Sequence, residues 1–185
     1  MGAPKLLLPW GESTIIETLI DAWKAGGVRA TVVVVSPLDR ELADTCWHAG
    51  AEVVIPPVQP AEMKHSIRFA LKHIAKHLRP RESDAWLVAP ADMPHLSPAI
   101  VSRLLEKHNP EEPRILLPTL GGRRGHPTLF PWPLAPLVDE LGKEEGLNAL
   151  VERESAVEIP CDDIADASAF SDVDTPEDYE QGRGE

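Results

Sequence analysis

The sequence predicts a single-domain α/β sandwich, and three observations carry that prediction. Segments with the hydrophobic period of a helix alternate along the chain with short β-branched runs. The run "TVVVV" at 31–35 is nearly continuous, the pattern of a parallel-sheet strand covered on both faces. A length of 185 residues, 43% of them hydrophobic, supplies one substantial core and is short for two. Strands interleaved with helices imply right-handed crossovers and put ligands at the carboxyl ends of the strands.

Taken from the N-terminus, "TIIETLIDAWKAGG" spaces Ile15, Ile16, Leu19, Ile20 and Trp23 along one helical face. It opens with a capping-box pattern at Thr14 and Glu17 and stops at Gly26 and Gly27. The β-branched run that follows is a strand, "DRELADTCWHAG" a short helix closing at Gly50, and "AEVVI" a further strand. "AEMKHSIRFALKHIAKHL" places Met63, Ile67, Ala70, Leu71, Ile74 and Leu78 on one face of a long helix, with Lys64, His65, Lys72, His73, Lys76 and His77 elsewhere. Lysines beside the three histidines repel a metal ion, so these residues read as a polar face in solvent. "DAWLVAP" is a hydrophobic strand, after which Ser97 as N-cap and Pro98 at the first helical position start another helix. "RILLPT" is a strand, "LGGRRGHP" a glycine-rich turn, and "TLF" a short strand leading to brief helices around "LAPLVDEL" and "GLNALVER". "AVEIP" is the last strand, and Thr175 with Pro176 opens a terminal helix.

A net charge of -12 argues against nucleic-acid or acidic-membrane binding, either of which favours a basic face. The mean hydropathy is -0.18, and no apolar stretch approaches the about 18 residues of a membrane span. "KLLLPWGE" breaks after three leucines with no small-residue cleavage site, unlike a signal peptide, so the expected location is cytoplasmic. Cys46 and Cys161 supply neither a disulfide framework nor metal-ligand spacing. An anionic substrate of so acidic a chain needs a metal or a few well-placed cations.

Candidate chemistry lies in two acidic segments. Asp92 in "APADMPHL" follows a strand's C-terminal end, where open α/β sheets place ligand chemistry; a turn or capping aspartate is the alternative. Asp172 and Asp174 in "SDVDTPEDY" approach a helix N-terminus, which the helix dipole alone would favour. If the fold brings Asp92 and Asp174 together, two hard oxygen ligands suit magnesium.

"MGAPKLLLP", "PADMPHL", "GGRRGHPTLF" and "DVDTPEDY", in this order and over nearly the whole chain, resemble the MobA-like nucleotidyltransferases, most closely the molybdenum cofactor cytidylyltransferases. The resemblance implies a Rossmann-like three-layer α/β/α sandwich of the nucleotide-diphospho-sugar transferase type. It implies transfer of an NMP moiety from CTP or GTP to a phosphorylated acceptor such as molybdopterin, with release of pyrophosphate. Residue by residue, it implies that Gly2 and Lys5 contact the triphosphate, that Asp92 is the principal Mg²⁺ ligand, and that Asp174 brings a second carboxylate to the metal. "GGRRGHPTLF" resembles the acceptor-side loop. There Gly121, Gly122 and Gly125 would admit a ligand to the backbone, Arg123 and Arg124 would pair with a phosphate, and His126 would donate a hydrogen bond. A hairpin turn with two solvated arginines is the alternative reading of that loop.

Relatives usually begin with a strand and a glycine-rich loop that runs into M-G-x-P-K, whereas here "MGAPK" is at position one. The chain is therefore expected to be one domain over 1–185 that lacks the first part of its phosphate-binding loop. Loss of a strand from the middle of the sheet is expected to leave its neighbours with unpaired backbone groups. A sugar phosphate or other acceptor, and a non-catalytic accessory protein that retains the fold, are the competing functional readings.

Overall fold

The computed structural model describes residues 5–183 and contains nine short strands and seven α-helices over that range. Local sequence signals account for most helix boundaries. Helix α1 (Ile15–Ala25) begins at the Thr14 capping box, in which Glu17 N donates to the threonine hydroxyl and the Glu17 carboxylate accepts from Thr14 N. Helix α2 (Arg40–His48) is capped by Asp39, and α4 (Pro98–Lys107) starts at Ser97 with proline at its first position, without a side-chain cap from that serine. Helices α3 (Met63–His77), α5 (Leu137–Glu140), α6 (Asn148–Arg153) and α7 (Pro176–Gly182) complete the set.

The strands form three sheets. β1 (Pro9–Trp10) and β2 (Ser13–Thr14) are a small antiparallel hairpin; β3 (Val32–Val34) and β4 (Glu52–Val54) pair in parallel, Val33 opposite Val53. The main sheet is mixed. β5 (Ala85–Val88) runs antiparallel to β8 (Thr128–Pro131), β8 antiparallel to β6 (Leu116–Leu120), and β6 parallel to β9 (Val157–Pro160). The two-residue β7 (Arg123–Arg124) folds back antiparallel on the end of β6. Leu116 has both Leu129 and Val157 as partners, so β8 and β9 lie on opposite edges of β6.

Alternation along β5 divides the core into layers. Leu87 packs with residues of α1 and α4, whereas Trp86 faces Ile67 and Leu71 of α3 and stacks on its cross-strand partner Phe130 with ring centroids 4.4 Å apart. Helices on both faces of a central sheet make the three-layer α/β/α sandwich that the sequence implied.

Two expectations need correction. The run 31–35 is not a strand buried on both faces: Val32, Val33 and Val34 are only half-buried, because β3 is hydrogen-bonded to β4 alone. Between β3 and β5, which are not paired, lies a cavity of about 620 Å³. Valines 32–34, residues 85–88, Ile20 and Trp23 of α1, and Leu71 and Ile74 of α3 line it. Thr31 Oγ1 and Trp86 Nε1 at this cavity are buried without hydrogen-bond partners among the described residues. The first turn of α3 also reverses the expected faces, with Met63 62% exposed and Lys64 6%. The Lys64 ammonium is buried because it donates to the carbonyls of Gly142, Lys143 and Glu145 and pairs with Glu62. Of the three helix histidines, His73 lies 2.6 Å from the Glu52 carboxylate, and no group of three or more metal-ligating side chains occurs among the described residues. Both cysteines are buried and free, and burial pushes the Cys46 thiol up to about 11, well away from a reactive thiolate. No helix among the described residues is long and apolar enough to cross a membrane.

Candidate active site

Three residues far apart in sequence meet beyond the carboxyl end of β5. The Lys5 ammonium lies 2.7 Å from Oδ2 of Asp92 and 2.9 Å from Oδ1 of Asp174. Each is held by its local structure. Lys5 opens a short 3₁₀ turn, Lys5–Leu7, whose Leu6 packs with Ile15, Val173 and Tyr179. The Tyr179 hydroxyl donates to the Pro9 carbonyl at 2.7 Å and pins this N-terminal segment to α7. Asp92 accepts at its backbone oxygen from Val173 N at 2.9 Å, which draws the residue before Asp174 onto the loop after β5. Asp174 is oriented by the capping box of α7, where the Asp178 carboxylate accepts from the backbone of both Asp174 and Thr175. The Thr175 hydroxyl and backbone hold the Asp178 carboxyl below its ordinary range. That capping aspartate is legible in "TPED" as threonine followed three residues later by an acid, a signal beyond Thr175 and Pro176.

Burial grades the two carboxylates. The Asp92 side chain is 24% exposed and that of Asp174 66%, and Asp92 Oδ1 is sealed from solvent with no hydrogen-bond partner among the described residues. Desolvation acts to lower the Lys5 pKa, but hydrogen bonds to Asp92 and Asp174 outweigh it and hold the ammonium above its ordinary value. Lys5 is therefore charged, and the carboxylate pair already cradles one cation. Two carboxylates fit a magnesium ion, which binds through one or two carboxylates and takes its remaining oxygens from phosphates and water. Gly2 lies outside the described residues.

The acceptor-side residues are placed differently. Leu120 pairs with Arg123 across Gly121 and Gly122, whose φ values of 56° and 74° make this a two-residue hairpin of the type in which both central residues need positive φ. Gly121 N also donates to Asp162 at 2.6 Å. Arg123 and Arg124 are exposed and, as consecutive strand residues, point to opposite faces. Arg124 is engaged with Glu158 at 2.7 Å, while Arg123 has no ion pair among the described residues. On its side-chain side Gly125 leaves no room: a Cβ there would fall 2.3 Å from the Phe170 ring. The glycine admits that aromatic side chain. His126 precedes β8, whose Thr128 pairs with Val88 at the end of β5, so it belongs to the same end of the sheet as Asp92. Burial lowers its pKa, opposed by a backbone contact at Val88 and the charge of Asp172, and its Nδ1 is buried without a hydrogen-bond partner among the described residues.

Residues 1–158 match the family model of the MobA-like NTP transferase domain. The chain belongs to that family. It is accordingly of nucleotidyltransferase type, with a mixed α/β fold of the nucleotide-diphospho-sugar transferase kind. A curated relative, nicotine blue oxidoreductase of Paenarthrobacter nicotinovorans, is 28% identical over 190 residues, covering 94% of this chain and 85% of the relative. The manganese complex of Rv0371C from Mycobacterium tuberculosis H37Rv superposes with a TM-score of 0.79 at 22% identity, covering 100% of this MobA-like chain and 94% of the other. Molybdopterin-guanine dinucleotide biosynthesis protein A from Archaeoglobus fulgidus gives a TM-score of 0.70 at 18% identity, with 99% and 90% covered.

Proposed function

We propose that this protein is a magnesium-dependent nucleotidyltransferase that joins CMP from CTP to a phosphorylated acceptor, molybdopterin, and releases pyrophosphate. The observation that carries the reading is the convergence of Lys5, Asp92 and Asp174 at one end of the sheet. Attack of an acceptor phosphate on the α-phosphorus brings anion against anion, so the protein's work is alignment and neutralisation of charge. Asp92 and Asp174 would hold the magnesium ion, which supplies Lewis-acid stabilisation of phosphate oxygens when bound. Lys5, beside both carboxylates, neutralises the triphosphate, as the family resemblance implies.

On the acceptor side, Arg123 has an exposed guanidinium with no ion pair among the described residues, suited to a phosphate. Arg124 spends its guanidinium on Glu158, so its contribution is to hold the hairpin beside β9. His126, kept neutral by burial, offers a hydrogen bond to the acceptor. The matched manganese-bound neighbour supports a divalent ion, and the molybdopterin-guanine dinucleotide neighbour supports the acceptor class. GTP as donor and a sugar phosphate as acceptor remain members of the same reaction class. A protein that keeps the fold without nucleotidyl transfer is favoured by one observation, the relative named as an oxidoreductase.

Pyrophosphate release from CTP, GTP, ATP and UTP, each with molybdopterin and Mg²⁺, separates these readings. The expected result is turnover with CTP, and Arg123→Ala raises the acceptor KM with nucleotide affinity unchanged. Release with none of the four nucleotides overturns the reading in favour of a protein that keeps the fold without nucleotidyl transfer.

A further inference from the structure

We propose that Lys5 is an internal counter-cation of the Asp92–Asp174 pair, which a divalent ion must displace on entry and which is thereby released toward the nucleotide. The inference rests on the metal reading above and concerns what the site does before the ion arrives. Two carboxylates aimed at one point repel each other, and the Lys5 ammonium at 2.7 and 2.9 Å relieves that repulsion within the chain. The same contacts make it a competitor. Oδ1 of Asp92 is sealed from solvent, so an incoming ion approaches through Oδ2, the oxygen that Lys5 holds. On Asp174 the oxygen nearest that point is Oδ1, and Lys5 holds this one too.

Ion and ammonium do not share the place. A magnesium–oxygen bond is about 2.1 Å, so an ion bound to these oxygens with the ammonium left in position would set like charges within about 5 Å of each other. The lysine has a way out, because its side chain is 26% exposed and its stem is flexible, while Leu6 and Leu8 keep the turn anchored against Val173 and Tyr179. Displaced from the carboxylates, the ammonium is free to meet a triphosphate at the moment the ion arrives. Metal and nucleotide then assist each other's binding, and by linkage the assistance is reciprocal.

Mn²⁺ alone, without nucleotide, is the probe, titrated into the protein by calorimetry and counted as free ion by electron paramagnetic resonance. Lys5→Met and Lys5→Gln are expected to bind Mn²⁺ about tenfold more tightly than the parent, the order expected from losing two partly exposed ion pairs. Lys5→Arg, which keeps the charge, stays near the parent value. An additive role for Lys5 in holding the ion, or a purely structural one, predicts weaker or unchanged binding for the neutral variants, and that result overturns the proposal. Tightening by Lys5→Arg equal to that of Lys5→Met overturns it as well, because charge would then not be the cause. Asp92→Asn separates this failure from that of the underlying reading. It is expected to abolish Mn²⁺ binding in both the Lys5 and Met backgrounds, and retention of the ion there removes the metal site and the competition together.

Discussion

Replacing Lys64 with methionine removes an ammonium that fastens helix α3 to the segment between α5 and α6. The side chain is 5% exposed and donates to the carbonyls of Gly142 at 2.8 Å and Glu145 at 3.1 Å, to that of Lys143, and pairs with Glu62 at 3.0 Å. One turn further along α3, Arg68 donates to the carbonyls of Val138, Asp139 and Leu141. Positions four apart share a helix face, so two cations together gather the carbonyls at the end of a helix that has only four residues. Hydrogen bonds to a charged group contribute about 1.5–3 kcal/mol each and are not additive. The freed carbonyls lie in an exposed loop that water can reach, so the expected loss is about 2–4 kcal/mol in total. For a chain of this length that is a fall in Tm of roughly 5–15 °C. Thermal unfolding followed by circular dichroism measures it, and amide exchange is expected to rise first over 141–147. A Tm within 2 °C of the parent would refute the carbonyl clamp, because methionine preserves the apolar stem and removes only the charge.

Three further outcomes are expected. Gly125→Ala places a methyl group 2.3 Å from the Phe170 ring and lowers the Tm; adding Phe170→Ala restores part of the loss, and no recovery would show that the two do not collide. His126 has a folded-state pKa below its unfolded value, chiefly through burial. Its contribution to stability is thus present above the unfolded pKa and lost as pH falls through the lower folded one. His126→Gln flattens that part of the acid limb in unfolding curves between about pH 7 and 5, and a limb unchanged in shape counts against a buried neutral imidazole. An apolar strand followed by a glycine-rich loop, added before Met1, should fill the cavity between β3 and β5, raise the Tm, protect the amides of both strands from exchange and tighten nucleotide binding. Unprotected β3 and β5 amides in the extended protein would dismiss that strand.

Local interactions leave a mark in the sequence, and long-range ones do not. Helix starts at Thr14, Ser97 and Thr175 were legible because their signals are local, whereas the order of strands in the sheets, with β8 between β5 and β6, is set by pairings far apart in sequence that no local pattern encodes. Asp92 and Asp174 were legible as candidates because a strand end and a helix start each mark a position. Their meeting on Lys5 depends on a backbone bond from Val173 to Asp92, which no local pattern encodes. The burial of Lys64 was illegible for the same reason, since its partners lie about 80 residues away in the chain and helical periodicity counts any lysine as solvent-facing. Gly125 was misread through its chemistry. A glycine beside two arginines suggests room for a ligand, but the room is filled by Phe170, a residue with no sequence relation to the loop.

Under the proposed function, Asp92 and Asp174 hold the divalent ion on which nucleotidyl transfer depends. Pyrophosphate release from CTP and molybdopterin, measured against Mg²⁺ concentration for the parent, Asp92→Asn and Asp174→Asn, tests it most directly. The expected result is Mg²⁺-dependent release by the parent and at least a hundredfold loss for Asp92→Asn, on the order seen when one group stabilising developing charge is removed. Asp174→Asn, on the more exposed side, should show a smaller loss and a higher Mg²⁺ requirement. The Tm of Asp92→Asn should stay near the parent value, separating lost chemistry from lost structure. Full activity of Asp92→Asn at ordinary Mg²⁺ would contradict the account.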